Sequence, residues 1–351
     1  MINYRFKVGT PHIPSQASIQ KYLERSLKTK HLTNFGSNER LLTSRLQKYF
    51  QNEKILLVNN ATNGLIISIQ AAFNKAQSKI VTTPYSFSAT ANAIIYAGHV
   101  PVYMDINSNM EPEYLSNYEE EIDGFLGVNI YGIPSSLTRS KTPLPVVIDN
   151  AHGFDVIYQG KNLANFGDIS ILSCHATKLF HTVEGGIIVV NKPDLYEELK
   201  DRSNFALQQV NNNSLGLNAK MSEFHAAMGL ANFDELEDII EQRINMKNFW
   251  DDIFNEFCST KLMTIRTPST SYYPLRFGNK KYANIFMEMM KKQSIFCRLY
   301  FDRSLARGYS SAELLAGSVV CIPVLSQYEK SDLEYLKSSM ISVLQELEGL
   351  D

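Results

Sequence analysis

The segment Val146-Val147-Ile148-Asp149-Asn150-Ala151-His152 ends an apolar run with an acid. Its first three residues have the continuous apolar character of a strand that is covered on both faces of a sheet. In open α/β sheets, ligands bind beside the carboxyl ends of the strands, so Asp149 stands where a ligand-binding acid is expected. An aspartate between a strand and a helix is also a common helix N-cap, and this segment alone leaves both interpretations open.

Similar apolar runs lie on both sides of this segment along the chain. The candidate strands are residues 55–58, 79–83, 100–105, 124–129, 146–149, 169–173 and 186–190, and helical patterns cover residues 64–73 and 90–97. Strands that alternate with helices predict an α/β fold with a mostly parallel seven-stranded sheet between helices. Only 12 residues separate the last two candidate strands. That length is at the lower limit for a parallel crossover, so we expect strand 186–190 to be antiparallel to its neighbours.

The pattern becomes helical after residue 191. Residues 222–257 carry a long amphipathic series, and a stretch rich in serine, threonine and proline follows at 267–274. A smaller α+β section then ends in a helix over about residues 331–347. We therefore predict a large domain over residues 13–245 and a small C-terminal α+β domain over residues 246–351. Residues 1–12 are expected to associate with the small domain.

Composition excludes several classes of protein. The chain has 351 residues, 44% of them hydrophobic, a length and composition that suit two globular domains. Its net charge of -2 lacks the basic excess that is typical of a nucleic-acid binder. The four cysteines are scattered and form no C-x-x-C pair, which argues against structural zinc and a disulfide framework. The sequence has no signal-peptide pattern and no apolar stretch long enough to span a membrane, so a cytoplasmic protein is expected.

A lysine follows strand 169–173 in the segment Ser173-Cys174-His175-Ala176-Thr177-Lys178. Most lysines are solvated at the surface, and that is the ordinary interpretation of one lysine. Lys178, however, lies between a buried strand and Glu184-Gly185-Gly186, whose glycines let the backbone pass close to a bulky group. A lysine in such a pocket can lose its proton and form an imine with a carbonyl compound.

Two further segments follow strands in the same way. The first, Val58-Asn59-Asn60-Ala61-Thr62-Asn63-Gly64, leads from a strand into a helix whose first N–H groups could bind phosphate, although an ordinary helix cap explains it equally well. The second, Pro84-Tyr85-Ser86-Phe87, offers Phe87 to stack on a planar ring, although a core position is the commoner fate of an aromatic residue.

The combination is more informative than its parts. A phosphate cradle, a stacking aromatic residue, an acid and a lysine all follow the ends of strands, in that order. Pyridoxal 5'-phosphate (PLP) requires this set: an anchor for its phosphate, a cover for its flat face, an acid on its ring nitrogen and a lysine for the imine. The sequence therefore predicts a PLP enzyme.

The motifs also resemble those of the DegT/StrS family of nucleotide-sugar aminotransferases, nearly from end to end. The resemblance rests on segments 30–36, 61–65, 84–94, 131–134, 177–178 with 184–186, and 218–223, which include Pro84-Tyr85-Ser86-Phe87-Ser88-Ala89-Thr90, Tyr131-Gly132-Ile133-Pro134 and Asn218-Ala219-Lys220-Met221-Ser222-Glu223. The family has the fold-type I PLP aminotransferase architecture. The resemblance thus implies a large PLP-binding domain followed by a smaller one.

The resemblance implies a role for each matching residue. Lys178 would bind PLP covalently and then move the proton during amino transfer. Asp149 would pair with the ring nitrogen, His152 would lie near the other polar ring substituent, and Phe87 would stack on the ring. The phosphate would be held by Thr62, Asn63 and Ser173, and by Asn218 of the neighbouring subunit, because family active sites are shared across a homodimer.

The form of the lysine motif resembles the subgroup that aminates position 4 of dTDP-4-keto-6-deoxyglucose. The resemblance thus implies transfer from L-glutamate to a nucleotide-linked 4-keto-6-deoxy sugar, giving dTDP-4-amino-4,6-dideoxy-D-glucose for surface polysaccharides such as O-antigen. A 3-keto sugar, or a UDP or GDP carrier, is the alternative. Ala61, Asn63, Lys220 and residues 298–302 depart from the family pattern, and these departures concern the sugar site more than the PLP site.

Three other classes fit the sequence less well. Related dehydratases carry histidine in place of the lysine, and Lys178 argues against them. A Rossmann oxidoreductase would need a G-x-G-x-x-G segment after a strand, and the sequence has none. A non-catalytic PLP-binding regulator would not require the Lys178 and Asp149 pair.

Overall fold

The computed structural model of the chain describes residues 4–107, 110, 121–139, 142–208, 215–257 and 259–350. The strands are, in chain order, β1 Phe6–Lys7, β2 Ile55–Val58, β3 Lys79–Thr82, β4 Val100–Tyr103, β5 Gly124–Val128, β6 Val146–Asp149, β7 Ile157–Tyr158, β8 Lys161–Asn162, β9 Ile169–Ser173, β10 Gly186–Val190, β11 Leu262–Thr264, β12 Tyr273–Phe277, β13 Ile295–Phe296, β14 Arg298–Leu299 and β15 Val319–Ile322. The helices are α1 Gln16–Thr29, α2 Ser37–Phe50, α3 Ala61–Ala72, α4 Ser88–Tyr96, α5 Ser136–Arg139, α6 Tyr196–Arg202, α7 Glu223–Asp234, α8 Leu236–Glu256, α9 Lys280–Lys292, α10 Ser310–Leu315 and α11 Lys330–Glu348.

The main sheet has seven strands in the order β2-β10-β9-β6-β5-β3-β4. Its pairs are parallel except those of β10, which is antiparallel to both β2 and β9. The predicted α/β class, the seven-stranded sheet and the reversed strand 186–190 are therefore confirmed. The reversal follows from chain length, because a connection this short has no room for a crossover helix.

Several predicted boundaries need correction. Strands β3, β4 and β5 end one or two residues earlier than predicted, because the chain leaves the sheet at its carboxyl edge. Helix α3 starts at Ala61, three residues earlier than predicted, since the Asn60 side chain caps it by accepting from the N–H of Asn63. The helical series 222–257 is divided at Glu235 into two helices.

Alternating side chains bury both faces of the main sheet. In β2, Leu57 packs with helices α2 and α7, whereas Leu56 and Val58 pack with α3 on the opposite face. In β10, Ile187 and Ile188 divide between the same two faces. Each such fully buried side chain stabilises the fold by about 2 kcal/mol, so the helical layers fix the sheet in place.

The C-terminal part of the chain has its own sheet, β11-β12-β15-β14, and its own apolar cluster with α8, α9 and α11. Strand β1 pairs in parallel with β13, and Phe6 lies in this cluster. The predicted domain limits at residues 12 and 245 stay predictions, and residue 245 lies inside α8. No helix among the described residues is long and apolar enough to cross a membrane.

A buried carboxylate caps the start of α2. The Glu223 side chain accepts hydrogen bonds from the backbone N–H groups of Asn38, at 2.8 Å, and Glu39, at 2.9 Å. Gly36 makes this approach possible, because a Cβ there would lie 2.4 Å from the Glu223 Cδ atom. The carboxyl groups of Glu39 and Glu223 are thus both buried near the start of α2. Burial, together with the nearby Glu223 charge, raises the pKa of Glu39 to about 7.

This pair of buried carboxyl groups predicts a pH-dependent stability. A carboxyl whose folded-state pKa is raised stabilises the fold below its unfolded pKa and loses that contribution as pH rises through its folded pKa. We expect Glu39→Gln to raise the free energy of unfolding by about 2 kcal/mol at pH 8 and to change it little at pH 4.5. Urea unfolding at the two pH values measures this, with the exposed Glu241→Gln as control. An equal effect of Glu39→Gln at both pH values would contradict the assignment.

Candidate active site

A cavity of about 360 Å³ opens at the carboxyl ends of the central strands of the main sheet. Six of the eight predicted site residues line it: Thr62, Phe87, Asp149, His152, Ser173 and Lys178. One wall of the cavity comes from the C-terminal part of the chain, through Arg298, Tyr300 and Phe301. The cavity therefore lies where a twisted α/β sheet ordinarily binds ligands, with one wall supplied by a second unit of the fold.

Asp149 ends strand β6 and is buried. Its Oδ2 atom accepts a hydrogen bond of 2.8 Å from the Thr90 hydroxyl, and its Oδ1 atom accepts one of 3.2 Å from the Ala151 N–H. Burial raises the pKa of Asp149 above its usual range, while these two donors and the Lys178 charge oppose the rise. A cationic N–H group in the cavity would stabilise the charged form of this buried carboxylate.

Lys178 stands across the cavity on the connection between β9 and β10. Burial of its amine lowers the pKa of Lys178 to about 8; the Asp149 charge opposes that shift and the Arg298 charge adds to it. Its Nζ atom donates a hydrogen bond of 3.0 Å to the Tyr272 hydroxyl. With this pKa about a tenth of the amine is uncharged at pH 7, far more than for an ordinary lysine, and a nucleophile or proton carrier requires that form.

His152 is held neutral beside Lys178. Its Nδ1 atom accepts a hydrogen bond of 3.1 Å from the backbone N–H of Tyr131, so the ring proton lies on Nε2. Burial, followed by the charges of Lys178 and Arg298, lowers the pKa of His152 well below its usual value. The histidine therefore offers the cavity an N–H donor without a charge.

The start of helix α3 forms the end of the cavity nearest Ser173. Ala61 and Thr62 line the cavity, and their N–H groups have no acceptor within the helix because they belong to its first turn. Gly186 lets β10 pass against this turn, since a Cβ there would lie 2.8 Å from the Ala61 nitrogen. Gly186 thus brings strand β10 close to the backbone of the first turn of α3, whereas the predicted approach of the glycines to a bulky group stays a prediction.

Two predicted residues do not line the cavity. Asn63 donates its backbone N–H to the Asn60 side chain and one side-chain N–H to the Asn59 side chain, so two of its three N–H donors have protein acceptors. Asn218 is exposed, and its side-chain oxygen accepts from Lys220 at 2.8 Å. Their predicted phosphate contacts stay predictions.

Sequence reasoning missed four residues that shape the site: Thr90, Tyr272, Arg298 and Tyr300. Thr90 stands inside the quoted motif 84–94, and Arg298 and Tyr300 stand inside the segment noted for its departure from the family. Tyr272 had no sequence signal beyond its place at 267–274. The Tyr131 hydroxyl donates at 2.6 Å to the Tyr300 carbonyl, and the Tyr85 hydroxyl donates to the same oxygen, which fixes this wall against the sheet.

Comparison with known proteins places the chain among aminotransferases. Residues 15–335 match the sequence model of the DegT/DnrJ/EryC1/StrS aminotransferase family. The dTDP-4-amino-4,6-dideoxy-D-glucose transaminase of Shigella dysenteriae is 30% identical over 95% of this chain and 97% of its own. The Escherichia coli protein of the same name is 30% identical over 90% of this chain and 93% of its own.

Solved structures agree with the fold. DesI, crystallised in the presence of its TDP-sugar product, superposes with a TM-score of 0.87 at 22% identity, over 97% of this chain and 93% of its own. Helicobacter pylori PseC, an aminotransferase involved in the biosynthesis of pseudoaminic acid, superposes with a TM-score of 0.84 at 21% identity, over 96% and 99%. The predicted fold class and the family resemblance are both confirmed. The chain therefore belongs to the DegT/DnrJ/EryC1/StrS family and is an aminotransferase of that family.

Proposed function

We propose that the chain uses PLP to transfer the amino group of L-glutamate to dTDP-4-keto-6-deoxy-D-glucose, giving dTDP-4-amino-4,6-dideoxy-D-glucose. The observation that carries the proposal is the meeting of the Lys178 amine and the Asp149 carboxylate at one cavity. The sugar assignment is supported by the two relatives at 30% identity, whose names state this product.

The chemistry of the cavity fits PLP at each of its functional groups. The first turn of α3 with Thr62 and Ser173 would hold the phosphate, where N–H groups and the helix dipole favour an anion. Phe87 is 57% exposed, so its ring face is free to stack on a planar ligand. Asp149 would pair with the ring nitrogen, and the neutral His152 would lie beside the ring.

The residues of the chain have separable tasks in this reaction. When bound, PLP would withdraw electrons from the amino-acid carbon. Lys178 would take the proton from that carbon, for which it must be uncharged, and its lowered pKa supplies that form near neutral pH. Asp149 would keep the ring nitrogen protonated, which the hydrogen bonds from Thr90 and Ala151 favour by holding the carboxylate in position.

Arg298 supports an anionic amino donor such as glutamate. Its guanidinium lies in the cavity wall, 4.9 Å from the Tyr300 ring centroid, and forms no ion pair within the part of the chain that the structure describes. Guanidinium groups bind carboxylates through paired hydrogen bonds. We assign Arg298 to a carboxylate of the donor.

We further propose a cytoplasmic homodimer with shared active sites. Asn218 is exposed in the single chain, and Phe205, Leu207 and Leu215 expose apolar side chains in the same part of the sequence. Such a surface favours association with a second protein. Contact of Asn218 with the phosphate bound by a neighbouring subunit would explain why it does not line its own cavity.

Replacement of the lysine tests the reaction. We expect purified protein with PLP to show a visible absorption band that glutamate bleaches and dTDP-4-keto-6-deoxy-D-glucose restores. Lys178→Ala should lose the band and reduce turnover on the order of a thousandfold or more, whereas the exposed Lys192→Ala should retain both. Restoration only by a UDP- or GDP-linked sugar would exclude the proposed substrate. Failure to bind PLP, or binding without bleaching, would contradict the enzyme assignment.

Replacement of the arginine tests the donor site. Arg298→Met should raise the KM for glutamate about 10- to 100-fold, the loss expected for charge-assisted hydrogen bonds, and leave the KM for the keto-sugar nearly unchanged. The exposed Arg303→Met is the control. A larger effect on the keto-sugar than on glutamate would instead place the nucleotide diphosphate at Arg298.

Mixed dimers test the shared site. Lys178→Ala and Asn218→Ala chains, coexpressed with different tags, should form heterodimers in which one site has both native residues. If Asn218 acts across the interface, a statistical mixture recovers about a quarter of wild-type activity, above that of either homodimer. Recovery no greater than the sum of the two homodimers would mean that Asn218 acts within its own chain.

A further inference from the structure

The Lys178 amine has one side-chain hydrogen-bond partner among the described residues, and it comes from the C-terminal part of the chain. Lys178 Nζ lies 3.0 Å from the Tyr272 hydroxyl, which belongs to the turn before β12. We propose that Tyr272 is a positioning residue whose hydroxyl holds the Lys178 amine whenever that amine is not bonded to the cofactor. The proposal rests on the proposed function, because it concerns the amine that carries the proton.

The Tyr272 hydroxyl is free for this task. The side chain is only 4% exposed, and burial raises the pKa of Tyr272 well above its ordinary value, so the group stays a neutral phenol. Lys178 is its hydrogen-bond partner within the described ranges. A phenol oxygen accepts from an ammonium group, and its O–H can donate to an uncharged amine. The contact therefore persists in both protonation states of Lys178.

The turn that carries Tyr272 is anchored from two sides. The Asp155 carboxylate accepts hydrogen bonds from the Thr270 N–H, at 2.8 Å, and from the Ser269 hydroxyl, at 3.2 Å. Lys247 in α8 donates to the carbonyl oxygens of Thr267 and Ser269, both at 2.8 Å. These hydrogen bonds hold the turn against the segment that carries Asp155 and against helix α8.

The ring of Tyr272 is fixed separately from its hydroxyl. Its centroid lies 4.3 Å from that of His152, 5.6 Å from that of Tyr131 and 5.6 Å from that of Tyr300. Removal of the oxygen alone should therefore leave the ring in place. Tyr272→Phe isolates the hydrogen bond to Lys178 from the packing of the wall.

The charges around Lys178 and Tyr272 predict how Tyr272→Phe changes the pKa of Lys178. Asp149 and Arg298 face Lys178, and Arg243 and Arg298 face Tyr272. A hydrogen bond to the charged amine is about twice as strong as one to the neutral amine. Loss of the phenol oxygen should therefore favour the uncharged form of Lys178. It should also leave the Lys178 amine without the hydrogen bond that orients it.

The test uses two measurements on Tyr272→Phe. In protein without PLP, pulse labelling with acetic anhydride and mass spectrometry of the Lys178 peptide should show half-maximal reactivity at a pH lower by about half a unit to one unit. In protein with PLP, the single-turnover rate with glutamate should fall about tenfold, while the glutamate concentration at half-saturation stays the same.

The neighbouring Tyr273 provides a matched control. Tyr273 is also 4% exposed, but its hydroxyl donates at 2.7 Å to Asp251 in α8, away from the cavity. Tyr273→Phe removes an equally buried phenol hydrogen bond and should leave the labelling profile and the single-turnover rate at wild-type values, even where it lowers the melting temperature.

The reaction of the enzyme and the role of Tyr272 can be contradicted independently. If wild-type protein does not bind PLP or react with glutamate, the proposed function is wrong. If wild-type reacts and Tyr272→Phe retains its labelling profile and its rate, the positioning role of Tyr272 is overturned. An equal loss of rate in Tyr272→Phe and Tyr273→Phe would also overturn it, because the effect would then be general loss of packing.

Discussion

Burial of charged groups in one cavity governs the rest of the site. Asp149 is buried, Lys178 and His152 are half-buried, and burial shifts the pKa of each group toward its uncharged form. Asp149 and Lys178 oppose each other's shift, so the amine retains a pKa of about 8 and the acid stays able to pair with a cation. A more open cavity would leave the amine fully charged, and a cavity without Asp149 would leave the buried ammonium uncompensated.

The packing of the sheet creates that burial. Strand β10 reverses direction and passes beside the first turn of α3, where Gly186 leaves room for the backbone of Ala61. The reversal brings the connection that carries Lys178 back across the carboxyl edge, opposite Asp149 at the end of β6. A side chain at residue 186 would separate β10 from α3, and the first turn of α3 would lose its position relative to the lysine.

The sequence allowed prediction of those parts of the fold and site that depend on local patterns. Continuous apolar runs predicted the seven strands, and the positions just after them predicted Asp149, Lys178, Thr62 and Phe87 as neighbours. Helix starts were placed too late, because capping by Asn60 acts through one side chain and leaves little trace in the apolar pattern. Asn63 matched a motif, but two of its N–H donors are bonded to Asn60 and Asn59 at the start of α3.

Tyr272 could not have been predicted, for a physical reason. Tyr272 lies 94 residues from Lys178 in the sequence. Its neighbour Tyr273 is also a tyrosine, so residue type alone does not distinguish the two positions. Only the pleat of β12 and the bonds of its preceding turn decide that the Tyr272 ring packs against His152, whereas the Tyr273 ring packs in the C-terminal cluster. Such a contact depends on how two units of the fold meet.

That meeting is itself held by polar groups that are costly to leave unpaired. Two buried tyrosine hydroxyls, of Tyr85 and Tyr131, donate to the carbonyl of Tyr300, and the Asp155 carboxylate accepts hydrogen bonds from the turn before Tyr272. Separation of the C-terminal part would leave these groups without partners, at about 1–3 kcal/mol for each buried one. The cavity wall that carries Arg298 and Tyr300 is therefore fixed before any ligand binds, and binding energy need not be spent on assembling it.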